Sequence, residues 1–212
     1  MSYLRRKLSN LGEYAHPAHL KAILRGASRE ERRALRRTLR PQPTPHLVKQ
    51  GVLRECARLY RARVFIETGT FRGDMVHALL AEFTVLHTIE LAPDLAEAAR
   101  ARFRDHPHVN IHHGDSAAVL PRLLAQIHEP CLFWLDGHSS GTDTAKGRVN
   151  TPILDELAVI RHHAVAGHVI LIDDAREFGR GKHYPSLRRV REAIGPRYSG
   201  FAVENDIIRI TP

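Results

Sequence analysis

A chain of 212 residues, 43% hydrophobic and 26% charged, is long enough to bury one sizeable core and too short for two average domains. Nothing in it approaches the roughly 18 consecutive apolar residues of a membrane span, and the start, M-S-Y-L-R-R-K, has no apolar run behind its basic residues, so neither a span nor a signal peptide is expected. Two cysteines, Cys56 and Cys131, fall inside predicted core elements; they suggest neither a disulfide framework nor a zinc site, and the expected compartment is the cytoplasm.

The net charge of +9 is concentrated at one end: residues 1–40 hold 11 Lys+Arg against 3 Asp+Glu, a surplus of 8. Pro17 to Arg25 reads as a short helix closed by Gly26, and a second helix starts at Ser28, with Glu31 completing a capping box, and stops before Pro41. Arginines 29, 32, 33, 36, 37 and 40 crowd that second helix. It suits phosphates, an anionic membrane surface or an acidic partner, or else a solvated helix folded over the domain or a homodimer contact. The expected organisation is a basic helical arm over 1–43 and a single α/β domain over 44–212. After the proline-rich link Pro41–Pro45, a helix is predicted from Thr44 to about Tyr60, packing Leu47, Val48, Val52, Cys56 and Leu59 on the sheet.

From there strands and helices alternate with short connections, the pattern of a doubly wound parallel sheet. Strands are predicted at 64–69, 84–91, 109–114, 131–136 and 168–173, and helices at about 73–82, 94–104, 116–127, 151–163 and 185–194. The end differs, because Tyr198 to Val203 and Ile207 to Ile210 flank Glu204-Asn205-Asp206 and read as an antiparallel hairpin.

The stretch Val64 to Asp74, V-F-I-E-T-G-T-F-R-G-D, carries the first chemical signal. An apolar strand stops at Glu67 and passes through Gly69, Thr70, Phe71 and Gly73 into a helix, which puts a ligand loop at the strand's carboxyl end. Spacing and the preceding acid differ from the dinucleotide pattern G-x-G-x-x-G and suit a cationic ligand better than a pyrophosphate. Glu90 lies 21 positions beyond Gly69, the step at which an acid takes ribose hydroxyls. Glu67, Glu90, Asp115 and Asp136 fall at four consecutive strand ends, hence along one sheet edge. F-W-L-D-G-H, Phe133 to His138, and L-I-D-D-A-R, Leu171 to Arg176, follow neighbouring strands. Asp136, Asp173 and Asp174 are therefore expected to converge, and three close carboxylates call for a cation with a taste for hard oxygen ligands. An aspartate pair at 173 and 174 also suits helix capping. The polar, glycine-containing run 139–150 and the segment 177–184 read as substrate loops.

These motifs resemble class I S-adenosylmethionine (SAM)-dependent methyltransferases, whose first motif is an acid followed by a glycine-rich turn. Phe71, where many of them have a glycine, and the aspartates after the fourth and fifth strands resemble the metal-dependent O-methyltransferases of small molecules and sugars. The resemblance implies a Rossmann-like sheet with a terminal antiparallel hairpin. It implies SAM on Glu67, Gly69, Thr70, Phe71 and Gly73, with its ribose on Glu90 and its adenine by Asp115 and Ser116. It also implies Mg2+ or Mn2+ on Asp136, Asp173 and Asp174. His138, where the sugar-modifying group often has an acid, is a ligand or the general base, with Asp136 beside it in the chemistry. The expected activity is O-methylation of a hydroxylated small molecule. A nucleic-acid methyltransferase steered by the basic arm and a non-catalytic SAM-fold module are the alternatives; a nearly neutral core and the lack of an N-P-P-Y-like motif argue against the first, and the retained acids against the second.

Overall fold

The computed structural model describes residues 43–136, 152–180 and 184–212. The basic arm, His138, the run 139–150 and part of the second loop candidate lie outside the described residues. In order, the elements are α1 (His46–Leu59), β1 (Val64–Thr68), α2 (Asp74–Leu79), β2 (Val85–Glu90), α3 (Pro93–Arg102), β3 (Val109–His113), α4 (Ser116–Leu124), β4 (Cys131–Leu135), α5 (Ile153–His162), β5 (Val169–Ile172), α6 (Leu187–Ile194), β6 (Gly200–Glu204) and β7 (Ile207–Thr211), with 3-10 turns at Ala175–Glu177 and Gly195–Arg197.

They form one seven-stranded sheet in the order β3-β2-β1-β4-β5-β7-β6. The first five strands run parallel, and β7 is antiparallel to both β5 and β6. Every residue of β1, β4 and β5 is buried, as expected of parallel strands with helices on both faces. Side chains alternate between two cores. Phe65, Leu86, Leu132, Trp134, Leu171 and Ile207 join the residues of α1 and α2 on one face; Ile66, Ile89, Phe133, Leu135, Ile170 and Ile172 join those of α4, α5 and α6 on the other. No helix among the described residues is long and apolar enough to cross a membrane.

Two sequence expectations change in detail. The buried face of α1 is Lys49, Val52, Leu53, Cys56 and Ala57, an i, i+3, i+4, i+7, i+8 stripe. Leu47 and Leu59 lie off it, 75% and 69% exposed. Of the residues expected to pack, Val52 and Cys56 do, whereas Val48, like those two leucines, is exposed, because a lysine occupies the inward position of the first turn. The terminal hairpin turns at Asn205 and Asp206, both in the left-handed region (φ 53° and 59°). That is the geometry of a two-residue hairpin loop whose twist matches its strands, so Glu204 belongs to β6.

Candidate functional site

Strand parity decides which acids meet. Glu67, Thr88 and Glu90 share a pleat face with Phe65 and Leu86, and Asp136 and Asp173 continue the α1 side of β4 and β5 one residue beyond each strand. The ladder itself continues there: the Asp136 amide donates to the Thr68 carbonyl at 3.0 Å and the Asp173 amide to the Leu135 carbonyl at 3.1 Å. With Leu135 paired to Ile172, the next residues of the two strands are Asp136 and Asp173, so they are neighbours.

The loop between β1 and α2 is shaped by positive φ at three positions, Gly69 (89°), Phe71 (48°) and Gly73 (75°). A Cβ on Gly73 would lie 2.7 Å from the Phe103 ring, so close packing as well as conformation calls for glycine there. Phe71 has no such exemption, and a phenylalanine in the left-handed region costs about 1–2 kcal/mol. Glu90 supplies the compensation: its Oε2 accepts from the Phe71 amide at 2.8 Å and its Oε1 from the Ala92 amide at 2.9 Å. The acid read from the sequence as a ribose ligand clamps the loop against the end of β2. The Phe71 side chain stays exposed, with the Arg72 guanidinium 5.3 Å from its ring centre.

Behind the loop, Glu67 is buried and accepts from the Thr88 hydroxyl at 2.6 Å, and Thr88 lies 2.6 Å from the Thr70 hydroxyl. Burial pushes the Glu67 carboxyl up to about 8; the Thr88 bond opposes this and the Glu90 charge adds to it. Asp115 caps α4, its Oδ1 accepting from the Ala117 amide at 3.0 Å. Next to it, Ser116 stands near the buried Glu156 of α5, an acid the sequence reading passed over. Burial raises Glu156 to about 7, while the nearby Ser116 and Thr68 hydroxyls pull the other way. Glu156 Oε1 and the Thr68 hydroxyl themselves have no hydrogen-bond partner among the described residues.

At the far side of the sheet edge, Asp173, Asp174 and Asp206 each bring a carboxylate oxygen within 4.8 Å of the others. Asp136 is not part of that trio but is close enough to feel it: burial, then the charges of Asp173 and Asp174, hold its carboxyl well above the usual range. Asp173 is raised by burial and by Asp174. Asp206 was legible only as a turn residue. The turn after β5 is no capped helix start, since Asp174 is left-handed (φ 56°) and its side chain caps nothing. Instead the Asp173 Oδ1 accepts from the Asp174 amide at 2.7 Å.

Two cations meet this cluster. Lys49 Nζ, from α1, lies 2.5 Å from Asp173 Oδ2 and 3.8 Å from Asp174 Oδ1. Arg176 donates to Asp174 Oδ1 at 2.7 Å and to Asp206 Oδ2, and lies 3.5 Å from Glu177. Among the described residues no ion pair reaches Asp136. Tyr184 is close by: burial, then the charges of Asp174, Glu177 and Asp136, push its phenol up to about 12. The inward direction of Lys49 had no sequence signal beyond the i, i+3, i+4 spacing to Val52 and Leu53.

No protein-family model matches the chain, and no curated protein matches it significantly. Solved structures do. An O-methyltransferase from Bacillus cereus in complex with SAH is 15% identical, with a TM-score of 0.59 over 99% of this chain and 97% of that one. The O-methyltransferase TomG from Streptomyces achromogenes, involved in tomaymycin synthesis and solved with SAM, is 20% identical, with a TM-score of 0.58 over 99% and 98%. The SAH-bound methyltransferase PaMTH1 from Podospora anserina is 16% identical, with a TM-score of 0.59 over 95% and 99%. With a parallel sheet ending in an antiparallel hairpin and a glycine-containing loop after β1, this chain has the fold of the class I SAM-dependent methyltransferases.

Proposed function

We propose that the protein is a SAM-dependent O-methyltransferase that uses a divalent cation, Mg2+ or Mn2+, to methylate a hydroxylated small molecule such as a sugar or a natural-product precursor. The observation that carries this reading is the two-part sheet edge: a clamped cofactor loop over β1 and β2, and an acid cluster over β4 and β5. In this reading the SAM chemistry belongs to residues 44–212, and the basic residues 1–43 take no step in it.

The loop Gly69–Gly73 and Glu67 would receive the methionine end of SAM, Glu90 the ribose through the lone pairs its two amide partners leave, and Asp115 and Ser116 the adenine. The ion would be held by Asp173 and Asp174, with Asp136 beside them as the third ligand expected from the sequence or Asp206 in its place; all are hard carboxylate oxygens, which suit Mg2+ or Mn2+ and suit zinc poorly. When bound, such an ion holds an acceptor hydroxyl and lowers its pKa. The chain's own residues orient the acceptor oxygen beside the methyl group, and His138, two positions beyond Asp136, takes the proton or joins the ion's ligands. Purified protein with SAM and a panel of hydroxylated acceptors should transfer methyl groups with Mg2+ or Mn2+ and stop in excess chelator, while SAM binding persists. Undiminished transfer in chelator overturns the metal part of this reading.

Glu67 gives the cofactor part its own pH signature. Its carboxyl is raised to about 8, so it is protonated at neutral pH before the cofactor binds, and the positive charges of SAM beside it would favour the carboxylate. Binding should therefore release a proton, and affinity should rise as pH climbs from about 6.5 to about 8.5. Calorimetry in buffers of different ionisation enthalpy reads the released proton directly. Glu67→Gln should flatten the pH dependence, and an unchanged slope in that variant would show that another group titrates.

A further inference from the structure

Lys49 is the one charged residue on the buried stripe of α1, and its partner Asp173 lies 124 positions away in sequence. Burying a lysine head is costly unless it is paired. The pairing is close, at 2.5 Å, and both side chains are almost wholly shielded, at 10% and 4% exposure. The carboxylate it engages is one the proposed ion would need. Mg2+ sits about 2.0–2.1 Å from its oxygen ligands, so an ion on Asp173 Oδ2 and an ammonium 2.5 Å from the same atom would be mutually repelling cations competing for one lone-pair region. Arg176 stands differently: its contacts are to Asp174, Asp206 and Glu177, which leaves Asp173 to Lys49.

We propose that Lys49 is a built-in competitor of the divalent ion at Asp173. The ammonium offsets the Asp173 charge in the metal-free protein, the ion enters by displacing it, and the residue thereby sets how tightly the ion is held. The inference rests on the metal reading above and adds a positioning residue from an element that carries none of the acids.

The test uses the full chain, stripped of metal and saturated with S-adenosylhomocysteine, titrated with Mn2+ and followed by the free-ion paramagnetic resonance signal. Lys49→Met and Lys49→Gln should bind Mn2+ about 10- to 100-fold tighter than wild type, the worth of one charge-assisted bond that no longer has to be broken. Their metal-free melting temperatures should fall and recover with Mn2+. In the wild type, Mn2+ should increase the labelling of Lys49 by an amine reagent, read by mass spectrometry, which keeps the test alive if neither variant folds. Unchanged or weaker Mn2+ affinity in variants that still bind S-adenosylhomocysteine, or unchanged Lys49 labelling in a wild type that binds Mn2+, overturns the competition while leaving the metal site standing. Absence of Mn2+ binding in all three proteins overturns both.

Discussion

Replacing Asp136 with asparagine is expected to make the metal-free protein more stable and the enzyme at least about 100-fold slower, since even residues that only support metal ligands cost 10- to 100-fold. Asp136 is buried near Asp173 and Asp174, and its carboxyl is raised well above the ordinary range by burial and by those charges. A group with a raised folded pKa contributes stability below its unfolded value and loses it as pH rises through the folded one. Above its unfolded value, Asp136 therefore destabilises the fold relative to a neutral side chain, and asparagine removes that cost at nearly constant shape. The gain in melting temperature, about 2–4 °C for each kcal/mol in a chain of this size, should grow from pH 5 to pH 8. Scanning calorimetry across that range, beside a methyl-transfer assay, separates the two effects. A variant that is both active and no more stable would mean that Asp136 neither holds an ion nor feels its neighbours. The expected opposition of stability and activity is what a site that concentrates like charges for function produces.

Glu90→Ala is expected to weaken SAM binding by about 10²- to 10⁴-fold, the loss of two charge-assisted hydrogen bonds at roughly 1.5–3 kcal/mol each. The carboxylate has two duties on one side chain. Facing the loop, it accepts from the Phe71 and Ala92 amides and so sustains the left-handed Phe71; facing the ligand, it would accept from the ribose. Alanine ends both, whereas Glu90→Gln keeps one acceptor oxygen and should fall between. Calorimetry with SAM, and with NADH as a control that neither form should bind tightly, checks the order. Wild-type affinity in the alanine variant would remove Glu90 from the cofactor site.

Much of this architecture was written locally. The apolar runs of β1, β4 and β5, the acids at or near the ends of β1 and β2, and the loop glycines are all properties of short segments. A strand buried on both faces needs such a run, and a chain that turns tightly at its end needs residues that tolerate positive φ. The alternation of strands and helices and the hairpin at the end followed from periodicity alone, with boundaries shifted by a few residues. Even the neighbourhood of Asp136 and Asp173 was legible, because consecutive parallel strands carry their ends to the same edge.

What the tertiary structure decided were the partners of those acids. Lys49 lies on a helix where two leucines, Leu47 and Leu59, face outward while the lysine is buried; only the packing of α1 on the sheet directs it to a carboxylate 124 positions away. Asp206 reads as a turn residue and acts as one, yet the placement of β7 beside β5 brings its carboxylate to Asp174 and Arg176. Glu156 carries no local sign of importance, and its near-neutral pKa comes from being sealed between α5 and the end of β1. Charge and shape along the chain determine which residues reach the sheet edge, but the compensation of one charge by another is a distance between elements, and distance is set only when the sheet is assembled.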